Sequence, residues 1–326
     1  MKFQMIMLGV SFIVTVILGL IIIPVLKKLK IGQIEREDGP ESHLKKQGTP
    51  TMGGIIFIIS IIICVTAVYI YLYSIGKGET VQNVLPILCL TIGFGVIGFI
   101  DDFRKLVLKN TDGLKPKYKM LGLLIISVAY TLFIIKFSNV GTETVIPFLK
   151  FNINLPIYIY IPFAILVILA TTNAVNLTDG IDGLSSSVSA IIIAALTAIA
   201  MTKGITEVVI FGFITIGAIL GFLVFNLHPA KVIMGDTGSL FLGGVISGLA
   251  LYLKMPLLLL LIALIPILET LSVIIQVLYF KKTGNRIFKM APLHHHFELS
   301  GWTENKVVII FSSLTLIVCI IGIFAV

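Results

Sequence analysis

Residues 3–25 read FQMIMLGVSFIVTVILGLIIIPV, an uncharged run whose length decides the fold of the chain. A bilayer core about 30 Å thick is crossed by roughly 20 apolar residues in a helix. The run is too long for a signal peptide, and it continues into Lys27 and Lys28 without a small-residue cleavage site. We therefore predict that it forms a membrane helix.

The composition of the whole chain agrees with this prediction. Of 326 residues, 57% are hydrophobic and 12% are charged, and the mean hydropathy of +1.10 is far outside the range of soluble domains. The three cysteines lie singly in apolar runs, which excludes a disulfide framework or a CxxC site. The sequence predicts an all-α integral membrane protein with a single polytopic domain over residues 1–326.

Apolar runs separated by polar residues predict about ten transmembrane helices. Their approximate bounds are 3–26, 51–75, 83–100, 120–138, 157–175, 184–202, 206–226, 237–254, 256–280 and 307–326. Alternating topology then places five connections on one side of the membrane: 27–50, 101–119, 176–183, 227–236 and 281–306.

The basic residues orient this topology. The five connections and their helix ends hold 18 Lys and Arg residues, whereas the other side holds 6. The positive-inside rule then makes the five-connection side cytoplasmic. This distribution also accounts for the net charge of +8, and the chain has no basic helix or aromatic-basic module typical of nucleic-acid binding. All the aspartates lie on the same side, so we expect the active site there.

Residues 139–156 show a weak alternation of polar and apolar side chains. Val145–Leu149 and Phe151–Leu155 are the two alternating segments, with Pro147 inside the first. Such a pattern predicts a small β-hairpin, which the topology places on the periplasmic side.

Asp101 and Asp102 end the third predicted span and are followed by many cations: Arg104, Lys105, Lys109, Lys115, Lys117 and Lys119. Carboxylates beside cations can handle a phosphate and its Mg²⁺. Neighbouring residues on a helix point about 100° apart, so the two aspartates are expected to have different roles. The alternative is a solvated helix end.

Residues 176–184 read NLTDGIDGL, with polar side chains at Asn176, Asp179 and Asp182. The glycines allow a backbone to approach a ligand closely. A helix N-cap and turn would explain one Asp-Gly pair but not two. This motif therefore favours a binding site.

Asp236 lies among glycines in MGDTGS, just before a predicted helix. A helix start offers N–H groups to an anion, and the carboxylate can bind a cation, although a plain N-cap would look similar. His294, His295 and His296 are adjacent, so they cannot all face one metal in regular structure. Phosphate contact or proton handling is the better functional interpretation.

Glu269 lies inside an apolar span, where an acid is costly and indicates function. Burial against a polar neighbour such as Ser272 is the alternative interpretation.

Five motifs in order along the chain resemble one family. They are GTPTMGG at 48–54, DDFRK at 101–105, NLTDGIDGL at 176–184, MGDTGSL at 234–240 and PLHHHFE at 292–298. Together they resemble the phospho-N-acetylmuramoyl-pentapeptide transferases of peptidoglycan synthesis. The middle motifs are shared with other polyprenyl-phosphate sugar-1-phosphate transferases, whereas the first and last are specific.

The resemblance implies a homodimer in the bacterial cytoplasmic membrane that uses Mg²⁺. It would transfer phospho-MurNAc-pentapeptide from UDP-MurNAc-pentapeptide to undecaprenyl phosphate, giving lipid I and UMP. Its catalytic residues would be Asp101, Asp102, Asp236 and His294, with Asp236 the Mg²⁺ ligand and Asp101 the general base of a direct attack. Substrate-binding positions would be Lys46, Thr51, Lys105, Lys109, Lys117, Asn176, Asp179, Asp182, Asn226, Gln276, His295 and His296.

The chain departs from the family pattern at two places. Many relatives read VFMGD where residues 232–236 read VIMGD, and RFW where residues 310–312 read IFS. The first change removes an aromatic ring expected to stack on uracil. A UDP-N-acetylglucosamine:polyprenyl-phosphate transferase and, less closely, a secondary transporter are the alternative functions.

Overall fold

A computed structural model describes residues 2–29, 48–78, 82–106, 113–138, 140–149 and 151–326. Over these residues the chain forms a helical bundle with one two-stranded sheet. The helices are α1 Lys2–Lys28, α2 Gly54–Ser74, α3 Leu85–Leu106, α4 Pro116–Phe137, α5 Ile157–Thr178, α6 Leu184–Thr202, α7 Thr206–Asn226, α8 Gly235–Tyr252, α9 Leu259–Ile262, α10 Leu264–Thr283, α11 Leu293–Glu298 and α12 Glu304–Phe324; the strands are β1 Glu143–Ile146 and β2 Phe151–Asn154.

Nine helices in the described ranges are long and apolar enough to cross a membrane. Large apolar side chains lie on their outer surfaces, with Leu20 64%, Ile125 59% and Ile309 64% exposed. Such surfaces suit contact with lipid tails rather than water. The prediction of an all-α, multi-pass membrane protein is confirmed.

The eighth predicted span, 237–254, corresponds to α8, which is not one of these nine helices. Every residue from Thr237 to Leu251 is buried. Its glycines bring neighbouring helices close, since a Cβ on Gly243 would lie 2.5 Å from the Thr172 Cα atom. Small residues at such contacts are typical of membrane helix packing. Because α8 is surrounded by protein instead of lipid, a polar and glycine-rich sequence is tolerated there.

The ninth predicted span, 256–280, is broken in the structure. A 3₁₀ turn at Pro256–Leu258 and the short α9 are followed by α10, and Ala263 between the two helices has φ −98° and ψ 28°. Pro266 lies in the first turn of α10, where its missing N–H costs little. The ninth span is therefore present as the membrane helix α10, which begins later than predicted because proline favours a new helix start at this point.

The predicted hairpin is present, with Glu143 paired to Asn154 in an antiparallel register. Its first strand ends at Ile146 instead of Leu149 because Pro147 and Phe148 form the turn, where Phe148 has φ 68°. The Val145 N–H donates to the Lys254 carbonyl at 2.8 Å. The hairpin thus lies at the end of the bundle where α8 ends, opposite the aspartates.

Candidate active site

The aspartates gather at the end of the bundle where α3 and α5 end and α8 begins. Asp101 and Asp102 are in the last turns of α3, and α4 starts at Pro116, so the predicted 101–119 loop is shorter than expected. Both aspartates are buried, and cations and backbone N–H groups of the protein supply their hydrogen bonds. The carboxylates are thereby fixed by helices and not by a loop.

Asp101 and Asp236 are joined by two lysine side chains. Lys105 donates to Asp101 at 2.7 Å and to Asp236 at 3.1 Å, and Lys119 donates to the same carboxylates at 3.2 and 2.8 Å. Asp101 is only 2% exposed, and its second oxygen accepts from the Leu114 N–H at 2.7 Å. We call Asp101, Asp236, Lys105 and Lys119 the carboxylate–ammonium cluster.

Asn176 connects this cluster to the end of α5. Its amide donates to Asp236 at 2.8 Å and to the Ser239 hydroxyl at 2.8 Å. Asp236 therefore has Asn176 on one carboxylate oxygen and the two ammoniums on the other. Three of the five motifs, from α3, α5 and α8, meet at this carboxylate.

Asp102 has different partners from Asp101, as their helical spacing predicts. It accepts from the Asp236 N–H at 3.2 Å and from the Thr237 N–H and hydroxyl at 2.9 and 2.6 Å. A carboxylate at this position satisfies the free N–H groups of a helix start and favours its dipole. Asp102 thus fixes the backbone that carries Asp236.

The GTPTMGG motif is paired by its backbone with Ile233, the residue directly before the MGDTGSL motif. The Gly53 N–H donates to the Ile233 carbonyl at 2.8 Å, and the Ile233 N–H donates to the Pro50 carbonyl at 2.8 Å. Thr51 between them is 6% exposed. A Cβ on Gly235 would lie 3.0 Å from the Thr51 hydroxyl oxygen. The first motif therefore supports the start of α8, which carries Asp236.

The two Asp-Gly pairs of NLTDGIDGL have separate environments. Burial, together with the nearby carboxylates of Asp236 and Asp102, raises the pKa of Asp179 to about 8. Asp182 instead accepts from the Ala230 N–H and contacts the His228 ring nitrogen, both at 3.0 Å.

Glu304 belongs with Asp182. Its carboxylate accepts from the Asp182 N–H at 3.3 Å and lies 3.6 Å from His228 Nδ1. The ligand atoms of these three residues lie within 4.8 Å of one another. We call Asp182, His228 and Glu304 the Asp182 cluster.

The three adjacent histidines face three different partners. His294 Nδ1 lies 3.1 Å from Glu269, His295 Nδ1 lies 2.9 Å from Glu298, and His296 Nδ1 accepts from the Lys289 N–H at 3.2 Å. Their rings therefore do not converge on one metal in the described structure.

Comparison with known proteins assigns the chain to a family. Residues 84–254 match the model of glycosyl transferase family 4, and residues 46–58 match signature 1 of phospho-N-acetylmuramoyl-pentapeptide-transferase. Proteins of that name from Acetivibrio thermocellus and Halalkalibacterium halodurans are 47% and 48% identical to it, over 97% and 96% of this chain and 93% and 94% of the relatives. One from Clostridium botulinum (strain Eklund 17B) is 50% identical over 97% of this chain and 94% of the relative. The chain belongs to the phospho-N-acetylmuramoyl-pentapeptide transferase family.

Within this transferase fold, the lysines that were predicted to bind substrate differ in whether they contact the aspartates. Lys105 reaches the cluster, whereas Lys46 and Lys109 lie outside the described residues. The Lys117 ammonium lies 5.1 Å from the centre of the Tyr118 ring and is not brought to the aspartates. Lys119 contacts them instead, because residues two apart on α4 point about 200° apart. The DD motif and its trailing lysines signalled this region but not which lysine of α4 faces inward.

Two other predicted residues bind the protein itself. Asn226 donates to the Val232 carbonyl at 3.0 Å and accepts from the Ser186 hydroxyl at 2.7 Å. Gln276 accepts from the Ile287 and Phe288 N–H groups at 3.0 Å and donates to the Phe288 carbonyl at 3.0 Å. Each side chain holds a loop of the transferase through hydrogen bonds to its backbone.

Sequence reasoning missed His228 and Glu304 as well as Lys119. His228 precedes Pro229 in a loop, and Glu304 begins the last helix, far along the chain from the aspartate motifs. Neither position carries a local pattern that points to Asp182. Only the packing of α12 against α6 brings them together.

Proposed function

We propose that the chain transfers phospho-MurNAc-pentapeptide from UDP-MurNAc-pentapeptide to undecaprenyl phosphate, releasing UMP and forming lipid I. The carboxylate–ammonium cluster is the observation that carries this proposal. It combines two carboxylates with two ammoniums, the charges that a diphosphate and its cation require. Full-length likeness to relatives of that name supports the choice of substrates.

Mg²⁺ is the proposed cofactor, and the residues present fit it. Mg²⁺ prefers oxygen ligands, and Asp101 and Asp236 supply carboxylate oxygens. Both carboxylates contact the same two ammoniums, so they lie close to one another. Asp236 would hold the ion, with Asp101 beside it. When bound, Mg²⁺ would stabilise negative charge on the donor diphosphate and the departing UMP.

The direct route gives each residue a task. An oxygen of the lipid phosphate attacks the phosphorus that bears the sugar, and the bond from that phosphorus to the bridging oxygen breaks as UMP leaves. Asp101 would accept the proton of the lipid phosphate. Lys105 and Lys119 would neutralise phosphate oxygens, while Asp102 and Asn176 hold Asp236 in place.

The lipid acceptor has a suitable surface next to the site. An apolar groove of about 320 Å³ runs between α5 and the broken span, lined by Leu166, Ala170 and Ala174 on one side and Leu260, Ile267 and Leu271 on the other. Helix α5 continues from Ala174 directly to Asn176 of the site. We place the isoprenoid chain in this groove, so that its phosphate reaches the aspartates.

The orientation and assembly are also proposals. The charge distribution supports a cytoplasmic site in the bacterial plasma membrane, where a soluble UDP-sugar arrives and the lipid phosphate lies at the inner leaflet. The homodimer rests on family resemblance. Reporter fusions after Lys46, Lys109 and Arg286 should all report the cytoplasmic side, and one external signal would overturn the orientation.

The substrate assignment is tested with purified protein, undecaprenyl phosphate and Mg²⁺. UMP release from UDP-MurNAc-pentapeptide is expected, with little release from UDP-N-acetylglucosamine. Equal turnover of both donors would favour the alternative transferase. An Asp236→Asn protein of matched amount serves as the control for non-enzymatic hydrolysis.

A further inference from the structure

Glu269 is a carboxylate at membrane depth that the proposed chemistry does not use. It lies in α10 and is 0% exposed. The Ser272 hydroxyl donates to the backbone carbonyl of Glu269 at 2.6 Å and not to its carboxylate. The carboxylate instead faces His294. The ring Nδ1 of His294 lies 3.1 Å from one carboxylate oxygen, and its backbone N–H donates to the other oxygen at 3.4 Å.

The other nitrogen of His294 points away from Glu269. His294 is 0% exposed, and its Nε2 atom has no hydrogen-bond partner among the described residues. A Cβ on Gly180 would overlap that nitrogen. Nε2 therefore packs directly against the loop between Asp179 and Asp182. The contact is at Gly180, because only glycine leaves room for the ring nitrogen.

The buried Glu269 carboxylate and the buried Nε2 atom of His294 are each energetically costly. An acid inside a membrane span is unfavourable, and so is a buried ring nitrogen without a hydrogen-bond partner. A carboxylate that accepts from Nδ1–H fixes the imidazole in one tautomer, with a lone pair on Nε2. Glu269 thus explains how a bare Nε2 is kept in one orientation beside the loop.

We propose that Glu269 is a positioning residue that holds His294 in the Nδ1–H tautomer and presents Nε2 to the Asp179–Asp182 loop. Gly180 is part of the same device, because any side chain there displaces the ring. The proposal rests on the proposed function in one respect: His294 must contribute to the transfer reaction for its orientation to affect the rate.

The kinetic test compares Glu269→Leu with Glu269→Gln. Leucine removes the acceptor, so we expect kcat for UMP release to fall by about tenfold to a hundredfold with little change in KM for the UDP-sugar. Glutamine keeps an acceptor oxygen and should restore most of the rate. The matched control is Glu207→Leu, because Glu207 accepts from the Tyr252 hydroxyl at 2.9 Å where α8 ends, and it should leave kcat unchanged.

A double-mutant cycle tests whether Glu269 acts through His294. In a His294→Gln background, adding Glu269→Leu should lower kcat less than about twofold further. A second loss as large as in the wild-type background would overturn the proposal. Gly180→Ala gives an independent check, since it should lower kcat in the wild type and have little further effect beside His294→Gln.

A measurement without activity separates this proposal from the proposed function. The chain has five histidines, so ¹⁵N-histidine NMR of the detergent-solubilised protein can identify His294 by the signal lost in His294→Gln. That signal should show a protonated Nδ1 and a bare Nε2, and the distinction should be lost in Glu269→Leu. A wild-type signal with protonated Nε2 would overturn the positioning role, whether or not the protein releases UMP.

Discussion

The carboxylate–ammonium cluster and the Asp182 cluster lie at the same end of the bundle but are neutralised differently. Asp101 and Asp236 are bound mainly by side-chain ammoniums, of which Lys105 is 40% exposed and Lys119 is 19% exposed. Asp182 is bound by the backbone N–H of Ala230 and by an imidazole, and its own N–H is bound by Glu304.

The difference indicates which carboxylates are available for chemistry. A lysine ammonium has a flexible stem and can move from a carboxylate to a phosphate oxygen. A backbone N–H is fixed by the fold, so its carboxylate partner is needed to hold a loop. The first cluster therefore suits diphosphate and cation binding, whereas the second suits attachment of the 227–234 loop to α12.

The largest effect is expected when the first cluster loses a charged oxygen. Asp236→Asn should lower the rate of UMP release by at least about a thousandfold and weaken its dependence on Mg²⁺, because the cation loses a ligand. Initial rates across a Mg²⁺ titration measure both effects. Wild-type rates at low Mg²⁺ would show that Asp236 does not hold the ion.

The next effect distinguishes the two lysines at the start of α4. Lys119→Met should lower kcat by about a hundredfold, because the ammonium that contacts both carboxylates is removed. Lys117→Met is the matched control and should change kcat by less than about threefold. If Lys117→Met proved the more damaging, the inward face of α4 would be assigned incorrectly.

Substitution in the second cluster should affect stability more than chemistry. Asp182→Asn should lower the free energy of unfolding by about 1–3 kcal/mol, because the bonds to Ala230 and His228 lose a charged acceptor. Thermal unfolding in detergent measures this, with kcat determined below the transition. An unchanged Tm together with a lost rate would assign Asp182 to substrate contact.

The smallest effect concerns Ile233, which lies in sequence between His228 of the Asp182 cluster and Asp236 of the carboxylate–ammonium cluster. Its N–H and carbonyl bind the GTPTMGG segment, so its side chain can change while the loop is retained. Ile233→Phe should lower KM for the UDP-sugar several-fold at nearly constant kcat, since aromatic stacking contributes about 0.5–1.5 kcal/mol. A constant KM with reduced kcat would mean that this side chain does not face the uracil.

The sequence alone determined the membrane fold, most of its spans and the end of the bundle that carries the aspartate motifs. Apolar run length and loop charge are local properties, so they can be seen without knowing which helices touch. The same holds for the hairpin, whose alternation is visible at Phe151–Asn154, although Pro147 moved the end of its first strand.

Tertiary structure alone decided which side chains meet. Lys117 and Lys119 look equivalent in sequence, but the rotation of α4 sends only Lys119 to Asp101 and Asp236. Glu269 contacts His294, 25 residues away in sequence, because α11 packs against α10. Local pattern cannot specify such pairs, since they depend on how helices distant along the chain are turned toward one another in the packed bundle.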